Sequence, residues 1–442
     1  MTRVLFSAAE ILRDAGERVC LLSGESPPDP LPGDISCRVI PGLGYAETAS
    51  ESEELLNTLD GLYQEGDIWH VHNHSLGKNP VVSDVFLTLA ERGQLLVLQP
   101  HDFAEDGRPQ NLDRLRREFP GYPDRLYPVA PHVQYAVLQQ RDKDLLKQAG
   151  IPHESIHLLP NPIPMGESYA SAAYPPRRVL YLTRAIRRKN IGEFLYWASC
   201  FQGEVEFATS LIPENPVELK RFQEWQAFAE QAGIRVQWGI GEQQSFQEVV
   251  EWSDACITTS VGEGFGMSFL EPFAMGRPVL GRNLPEITAG FIADGIDLSA
   301  LYSEVPVAVD MLDENFWSRA QAQVQKWRKS MGSDELVSIA DLKTAWEKDG
   351  DIDFGRLDET AQRAVLQKGK CKRSRERLQL TTPQPLRANV DRMKNAYGVA
   401  PYLQRLQKLY AALSDSSPLS FADGNRIRDA FLDIKHVRLL RT

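Results

Sequence analysis

Short apolar runs alternate with stretches of helical periodicity along most of this chain, in two series separated by Pro160-Asn-Pro-Ile-Pro164. That alternation is the pattern of a doubly wound parallel sheet, because each buried parallel strand needs a crossover helix to bring the chain back. In the first series a helix is expected from Thr2 to Ala15, with Val4, Leu5, Ala8 and Leu12 at helical spacing, and strands at 18–22, 37–40, 68–71, 95–99 and 132–138. In the second, strands are expected at 179–182, 205–209, 235–238 and 255–259, with helices from Asn190, at 217–232 and at 246–252. Proline at the density of 160–164 blocks helix and sheet alike, so this segment reads as a hinge between two α/β domains. The domain limits read 1–160, 161–380 and 381–442, the last being helical at 390–413 and 424–434 and packing back on the first domain. The pattern over 331–380 is irregular, and its basic run of Lys368, Lys370, Lys372, Arg373, Arg375 and Arg377 reads as a solvated face.

Charge and composition narrow the partners. Forty-nine basic against sixty acidic residues give a formal net charge of −11, which argues against nucleic acid, whose binders draw affinity from phosphate contacts. Five scattered cysteines with no C-x-x-C pair suggest neither a disulfide framework nor a thiolate zinc site. No run approaches the ~20 apolar residues of a membrane span, and the start lacks a charged-then-apolar signal pattern. The chain therefore reads as cytoplasmic, with room left for peripheral contact with a membrane.

The densest chemistry lies in Ser260-Val-Gly-Glu263-Gly-Phe-Gly-Met-Ser-Phe-Leu-Glu271-Pro-Phe-Ala-Met-Gly-Arg-Pro-Val-Leu280. Glu263 ends a strand, and Gly264 and Gly266 on either side of Phe265 let backbone N–H groups approach a ligand closely. A helix beginning near Met267 and Ser268 turns its free N–H groups and positive dipole end toward an anion such as a diphosphate. Glu271, one turn further on, is placed to accept hydrogen bonds from ribose hydroxyls. A second constellation is Val179-Leu-Tyr-Leu-Thr-Arg184-Ala-Ile-Arg-Arg-Lys189-Asn190, where a strand delivers an arginine and, five residues later, a lysine at a helix start. Two fixed cations there suit a departing diphosphate. His101, in Gln99-Pro-His101-Asp102, sits at the carboxyl edge of an apolar strand, the edge at which α/β proteins bind ligands. Glu105, Asp106 and Arg108 share its loop as candidates to meet an acceptor. Metal chemistry is not expected. The alternating His70, His72 and His74 would share one strand face, yet neither they nor the D-x-D spacings at 142–144 and 351–353 sit in a convincing ligand set.

These segments together resemble glycosyltransferase family 4 and its GT-B relatives, well over about 67–288 and more loosely at 402–413. The E-x7-E motif of that family matches Glu263 and Glu271, followed by a similar Ala-Met-Gly-Arg-Pro-Val. The resemblance implies a GT-B fold: two Rossmann-like domains facing across a cleft, with C-terminal helices returning to the first. It implies a hexosyltransferase that retains anomeric configuration and takes a nucleotide-diphosphate sugar as co-substrate, with no cofactor and no metal. In the family's pattern Glu263 contacts the transferred sugar, Glu271 the donor ribose, Arg184 and Lys189 the phosphates, and His101 the sugar from the opposite domain, while histidines such as His70 and His72 shape the cleft. Two departures stand out. Thr183 takes the place of an expected glycine, and the chain opens within what resembles the family's first helix, without the strand and glycine-rich loop that normally precede it. A start placed too far downstream, or a shortened and inactive protein, would each account for that. A phosphorylase or epimerase on the same fold and a non-catalytic nucleotide- or sugar-binding subunit are the rival readings.

Overall fold

The computed structural model describes residues 2–27, 35–45, 52–165, 172–369 and 371–442. They form two units. The first comprises 1–163, 330–332 and 395–432, and the second 164–329, 333–394 and 433–442. The second unit begins inside the proline segment, at Pro164.

In the first unit, α1 (Thr2–Asp14) leads into β1 (Cys20–Ser23) and β2 (Ser36–Val39), which pair in parallel as a sheet of their own. A separate four-stranded parallel sheet is built from β3 (Ile68–His72), β4 (Leu95–Gln99), β5 (Val133–Val137) and β6 (Ile156–Leu158), in that order. Helix α1 serves both sheets because its apolar residues occupy more than one face. Ala9 packs with Leu21 and Ile35 beside the first, while Ala8 and Ile11 join Val97, Ala136 and Leu159 on the second. α2 (Ser52–Asp60) leads into the larger sheet, whose crossovers are α3 (Pro80–Glu91), α4 (Pro109–Glu118) and α5 (Gln140–Gln148). α3 and α4 both start on a proline, whose missing N–H costs nothing at that position.

The second unit holds one five-stranded parallel sheet. Its strands are β7 (Arg178–Arg184), β8 (Glu206–Leu211), β9 (Ala255–Thr258), β10 (Val279–Arg282) and β11 (Leu301–Tyr302), in the spatial order β11-β10-β9-β7-β8. Between them run α6 (Ile191–Cys200), α7 (Pro216–Gln231), α8 (Phe246–Trp252), α9 (Met267–Ala274) and α10 (Pro285–Ala293). α7 is capped by Asn215, whose side chain accepts from the Val217 and Glu218 N–H groups, and α8 by a reciprocal Ser245–Glu248 box. The strand expected at 235–238 is a correction: only Gln237 bridges Ala208, because Gly239 at φ +62° turns the chain away into a short 3-10 turn. With that one-residue edge, the order is that of a Rossmann sheet, and its direction of winding reverses between β7 and β9.

The segment 331–380 is more regular than its sequence pattern suggests. After α11 (Phe316–Ser330) come α12 (Ile339–Trp346), boxed by Ser338 and Asp341, and a hairpin of β13 (Glu347–Lys348) and β14 (Asp351–Asp353). Asp349 and Gly350 both have positive φ in the hairpin turn, the Asp-Gly signature of a type I′ turn. α13 (Glu359–Gln367) follows, with Val365 and Leu366 buried. In the basic run, Lys370 lies outside the described residues, Lys368 donates to the Met311 carbonyl, and Arg375 pairs with Glu204 while lying over the Phe201 ring.

The region 381–442 does not go to the first unit as a whole. α14 (Leu386–Tyr397) carries the chain from one unit's residues to the other's, and α15 (Val399–Ala411) and α16 (Gly424–Phe431) belong to the first. Tyr402, Leu406 and Leu409 of α15 enter the core around Val97 and Ala136. Each such buried side chain contributes about 1.5–3 kcal/mol, which anchors the helix. Residues 433–442 then rejoin the second unit, because Val437, Leu439 and Leu440 are buried there. No helix among the described residues is long and apolar enough to cross a membrane.

Candidate functional site

At the reversal of winding in the second unit, the loops after β7 and β9 lie against each other. The turn after β7, Arg187–Lys189, ends on Asn190 in the left-handed region (φ 56°) and hands the chain to α6. The loop after β9 is laced to that turn. The Val261 N–H donates to the Arg188 carbonyl at 2.9 Å, Thr259 Oγ1 to the Lys189 carbonyl at 3.0 Å, and the Arg188 guanidinium to the Gly262 carbonyl at 3.1 Å. Tyr181 Oη, from within β7, also donates to the Lys189 carbonyl, at 2.7 Å.

These bonds bring two of the expected residues into direct contact. Lys189 Nζ donates to Glu263 Oε1 at 2.5 Å, with the two side chains only 11% and 8% exposed. Arg188 adds a second cation 3.9 Å from Oε2, and Ser268 Oγ lies 3.4 Å from Oε1. Burial pushes the Glu263 carboxyl up, but Lys189 and Arg188 more than offset it and hold the group below the ordinary carboxylate range. The pair is a buried, ionised contact at the mouth of a Rossmann sheet.

α9 begins immediately beyond. Its first residue is Met267, and Gly266 caps it at φ +93°. A Cβ there would come within 2.4 Å of Ile287 Cγ2, so both backbone conformation and space require glycine. Phe265 is buried edge-on against Phe291, which fixes the turn to α10. Burial pulls the Lys189 ammonium below its ordinary value; Glu263 and, more weakly, the half-buried Glu271 of α9 oppose that shift, so the second glutamate lies within electrostatic reach of the first cation. Arg184 is placed differently from Lys189. It is exposed and pairs with Glu214 at 2.6 Å, and its position at the strand end leaves Arg188 as the cation beside Glu263. Arg188 was legible in the Arg-Arg-Lys-Asn run, yet nothing in the spacing distinguished it from its neighbours.

In the first unit, His101 follows β4 and stacks in a row of histidines. His70 and His72 project to one face of β3 with rings 4.7 Å apart, and His72 Nδ1 is 2.8 Å from His101 Nε2. The His101 N–H donates to Asn73 Oδ1 at 2.8 Å. Burial, reinforced by neighbouring histidines, pulls His101 down to about 4 and His72 well below its ordinary value. Both are neutral at pH 7, so a single proton lies between them. His74 does not share that face. The strand ends at His72, Asn73 is left-handed at φ 61°, and His74 is buried against Tyr127 and Tyr135. Among the described residues no three His, Cys, Asp or Glu side chains are placed to share a metal ion.

The loop after His101 is structural at its centre. Glu105 is 0% exposed and accepts from Tyr127 Oη at 3.3 Å, so it is not available to an acceptor. Arg108 pairs with Asp102 at 2.7 Å, and Asp106 lies 3.7 Å from Arg141. Burial raises the Glu105 carboxyl to about 7, above its ordinary value of 4.5. A folded-state pKa above the unfolded one means that stability is fully present below about 4.5 and is lost as pH rises toward 7, by an amount on the order of 3 kcal/mol. Glu105→Gln is therefore expected to flatten the stability-versus-pH curve between those limits in denaturant titrations. An unchanged slope would remove Glu105 as its origin.

No family model matches the chain. It is similar to mannosylglucosyl-3-phosphoglycerate synthase of Petrotoga mobilis, at 27% identity over 257 residues. That alignment covers 53% of this chain and 50% of the synthase, so the chain matches about half the length of this curated relative. Among solved structures it is similar to HepE of Anabaena, a complex with UDP and glucose, at a TM-score of 0.52 and 13% identity over 93% of this chain and 96% of that one. The lipopolysaccharide outer core galactosyltransferase WaaB superposes at 0.54 and 12% identity, over 92% and 94%. Both likenesses cover nearly the whole chain, and with two parallel-sheet units, the second in Rossmann order, the chain has the GT-B fold.

Proposed function

We propose that this chain is a glycosyltransferase that binds a nucleotide-diphosphate sugar at the switch point of its second unit and transfers the sugar to an acceptor. The observation that carries this reading is the convergence there of Arg188, Lys189, Glu263 and the glycine-capped start of α9. Open α/β sheets bind ligands at such a point, and helix N-termini favour diphosphates. In this reading Lys189, Arg188 and the first N–H groups of α9 meet the charge of the departing diphosphate, with Arg184 contributing from the strand end. Glu271 accepts from the ribose, and Glu263 orients the transferred sugar. His101, neutral, is the first unit's candidate ligand-binding side chain, through the nitrogen that His72 does not hold. The resemblance to glycosyltransferase family 4 supports retention of configuration through an oxocarbenium-like transition state, and the reading assigns no role to a metal.

The test is a thermal-shift and hydrolysis screen of UDP-, GDP- and ADP-sugars on the unaltered chain and on Glu271→Ala, with and without EDTA. The synthase relative makes glucosylated phosphoglycerate a candidate acceptor for the same screen. At a hundredfold excess over Kd the matching donor adds about 2.7 kcal/mol of stability. That gain is expected to vanish in Glu271→Ala and to survive EDTA. A chain that responds to no nucleotide sugar is not a transferase of this kind.

A further inference from the structure

The donor site of the second unit is underpinned by a segment far from it in sequence. Residues 437–442 run beneath both loops that carry Lys189 and Glu263. On one side Arg187, two residues before Lys189, donates to the Thr442 carbonyl at 2.8 Å and to the Leu439 carbonyl at 3.1 Å. Gln323 grips the same stretch, donating to the Leu439 carbonyl at 2.8 Å and to Thr442 Oγ1 at 2.9 Å. Arg356 holds its beginning through the Val437 carbonyl at 3.2 Å. Leu439 and Leu440 are buried, so the segment is packed as well as hydrogen-bonded. On the other side Arg441 lies over Gly262, the residue before Glu263. A Cβ at Gly262 would sit 2.7 Å from Arg441 Nε and 2.9 Å from Cδ.

We infer that residues 437–442 are a positioning element of the donor site, with Arg187 and Arg441 clamping the Lys189 and Glu263 loops into one arrangement. This rests on the transferase reading for the ligand, though not for the clamp itself. The absence of a side chain at Gly262 is what allows Arg441 to lie there. Gly262 is not in the left-handed region, so alanine is compatible with its backbone. The clash it creates falls on a flexible side chain, and Gly262→Ala therefore displaces Arg441 without obliging the sheet to move.

The experiment is a double-mutant cycle of Gly262→Ala and Arg441→Ala, with Arg187→Ala as a probe of the other grip. It is read by amide hydrogen exchange in the free protein and by calorimetric titration with UDP, GDP and inorganic pyrophosphate. Each single variant is expected to speed exchange at 187–190 and 259–263 while leaving the thermal midpoint nearly unchanged, and to weaken diphosphate binding about tenfold, within the range of coupled neighbours. The double variant is expected to bind no more weakly than Arg441→Ala alone, because the partner of the clash is already gone. Additive losses in the cycle, or exchange at these loops that no variant alters, would overturn the clamp. If the unaltered chain binds none of the three probes, the donor reading fails, and the exchange data alone decide whether the clamp exists.

Discussion

Lys189→Met is expected to cost about 3–5 kcal/mol of stability, and Glu263→Gln added to it to restore most of that loss without restoring activity. Both side chains are nine-tenths buried, and the carboxylate faces Lys189 directly, with Arg188 more distant. Removing the ammonium leaves a buried charge that Arg188, 3.9 Å away, and the Ser268 hydroxyl answer only in part, and neutralising the carboxyl removes the problem rather than solving it. In the proposed transferase, catalysis responds to a different quantity. A cation opposite developing negative charge is worth about 10² to 10³ in rate, and a neutral pair supplies none of it. Thermal unfolding and steady-state donor turnover separate the two effects in the same three proteins. A double variant as unstable as Lys189→Met would show that the pair is not the source of the loss.

Arg282→Met is expected to be at least as damaging, although Arg282 is not among the residues proposed to hold the donor. Arg282 is 0% exposed and donates to Glu193 Oε2 at 2.6 Å and to Asp353 Oδ1 and Oδ2 at 2.9 and 2.8 Å. Tyr302 Oη donates to Glu193 Oε1 at 2.6 Å and accepts from Trp197 Nε1 at 2.7 Å. Removing the guanidinium takes from Glu193 the cation it faces and leaves Asp353 to Arg438, 3.5 Å away, and losses of about 3–5 kcal/mol follow from one stranded carboxylate. The pH dependence then shifts. Burial opposes ionisation of Asp353, but Arg282 and Arg438 prevail and hold it at about 2, below its ordinary value of 3.8. In the unaltered protein that stabilisation is present above 3.8 and is lost as pH falls toward 2. Burial already raises the Glu193 carboxyl even beside Arg282, so without Arg282 it holds its proton more strongly still and the variant loses stability as pH rises. Urea midpoints of Arg282→Met at pH 5 and pH 8 test this, and a higher midpoint at pH 8 would contradict it. The cluster also reaches the proposed donor site, since Asn190 Nδ2 donates to Glu193 Oε2 at 2.7 Å, one residue beyond Lys189.

Local patterning made much of this molecule legible. The alternation of apolar runs and helical periods specified two parallel α/β units, because burial on both faces of a strand leaves a run that little else produces. Glu263, Gly266 and Lys189 stood out since a sharp turn before a helix and a cation at a helix start restrict residue type by short-range geometry. The Asp349-Gly350 hairpin was equally local in its chemistry and was passed over within a stretch that looked irregular. Other features depended on tertiary structure. Nothing near Arg282 announces that it meets Glu193 and Asp353, nor near Arg184 that it pairs outward with Glu214. The return of 433–442 to the second unit was likewise hidden, because a few buried leucines and backbone carbonyls gripped by Arg187 and Gln323 have no periodicity to read. Short-range sterics and periodic burial are written in neighbouring residues. Which charge meets which across a hundred positions is decided only when the packed sheet brings them within 3 Å and removes the water that would otherwise satisfy them.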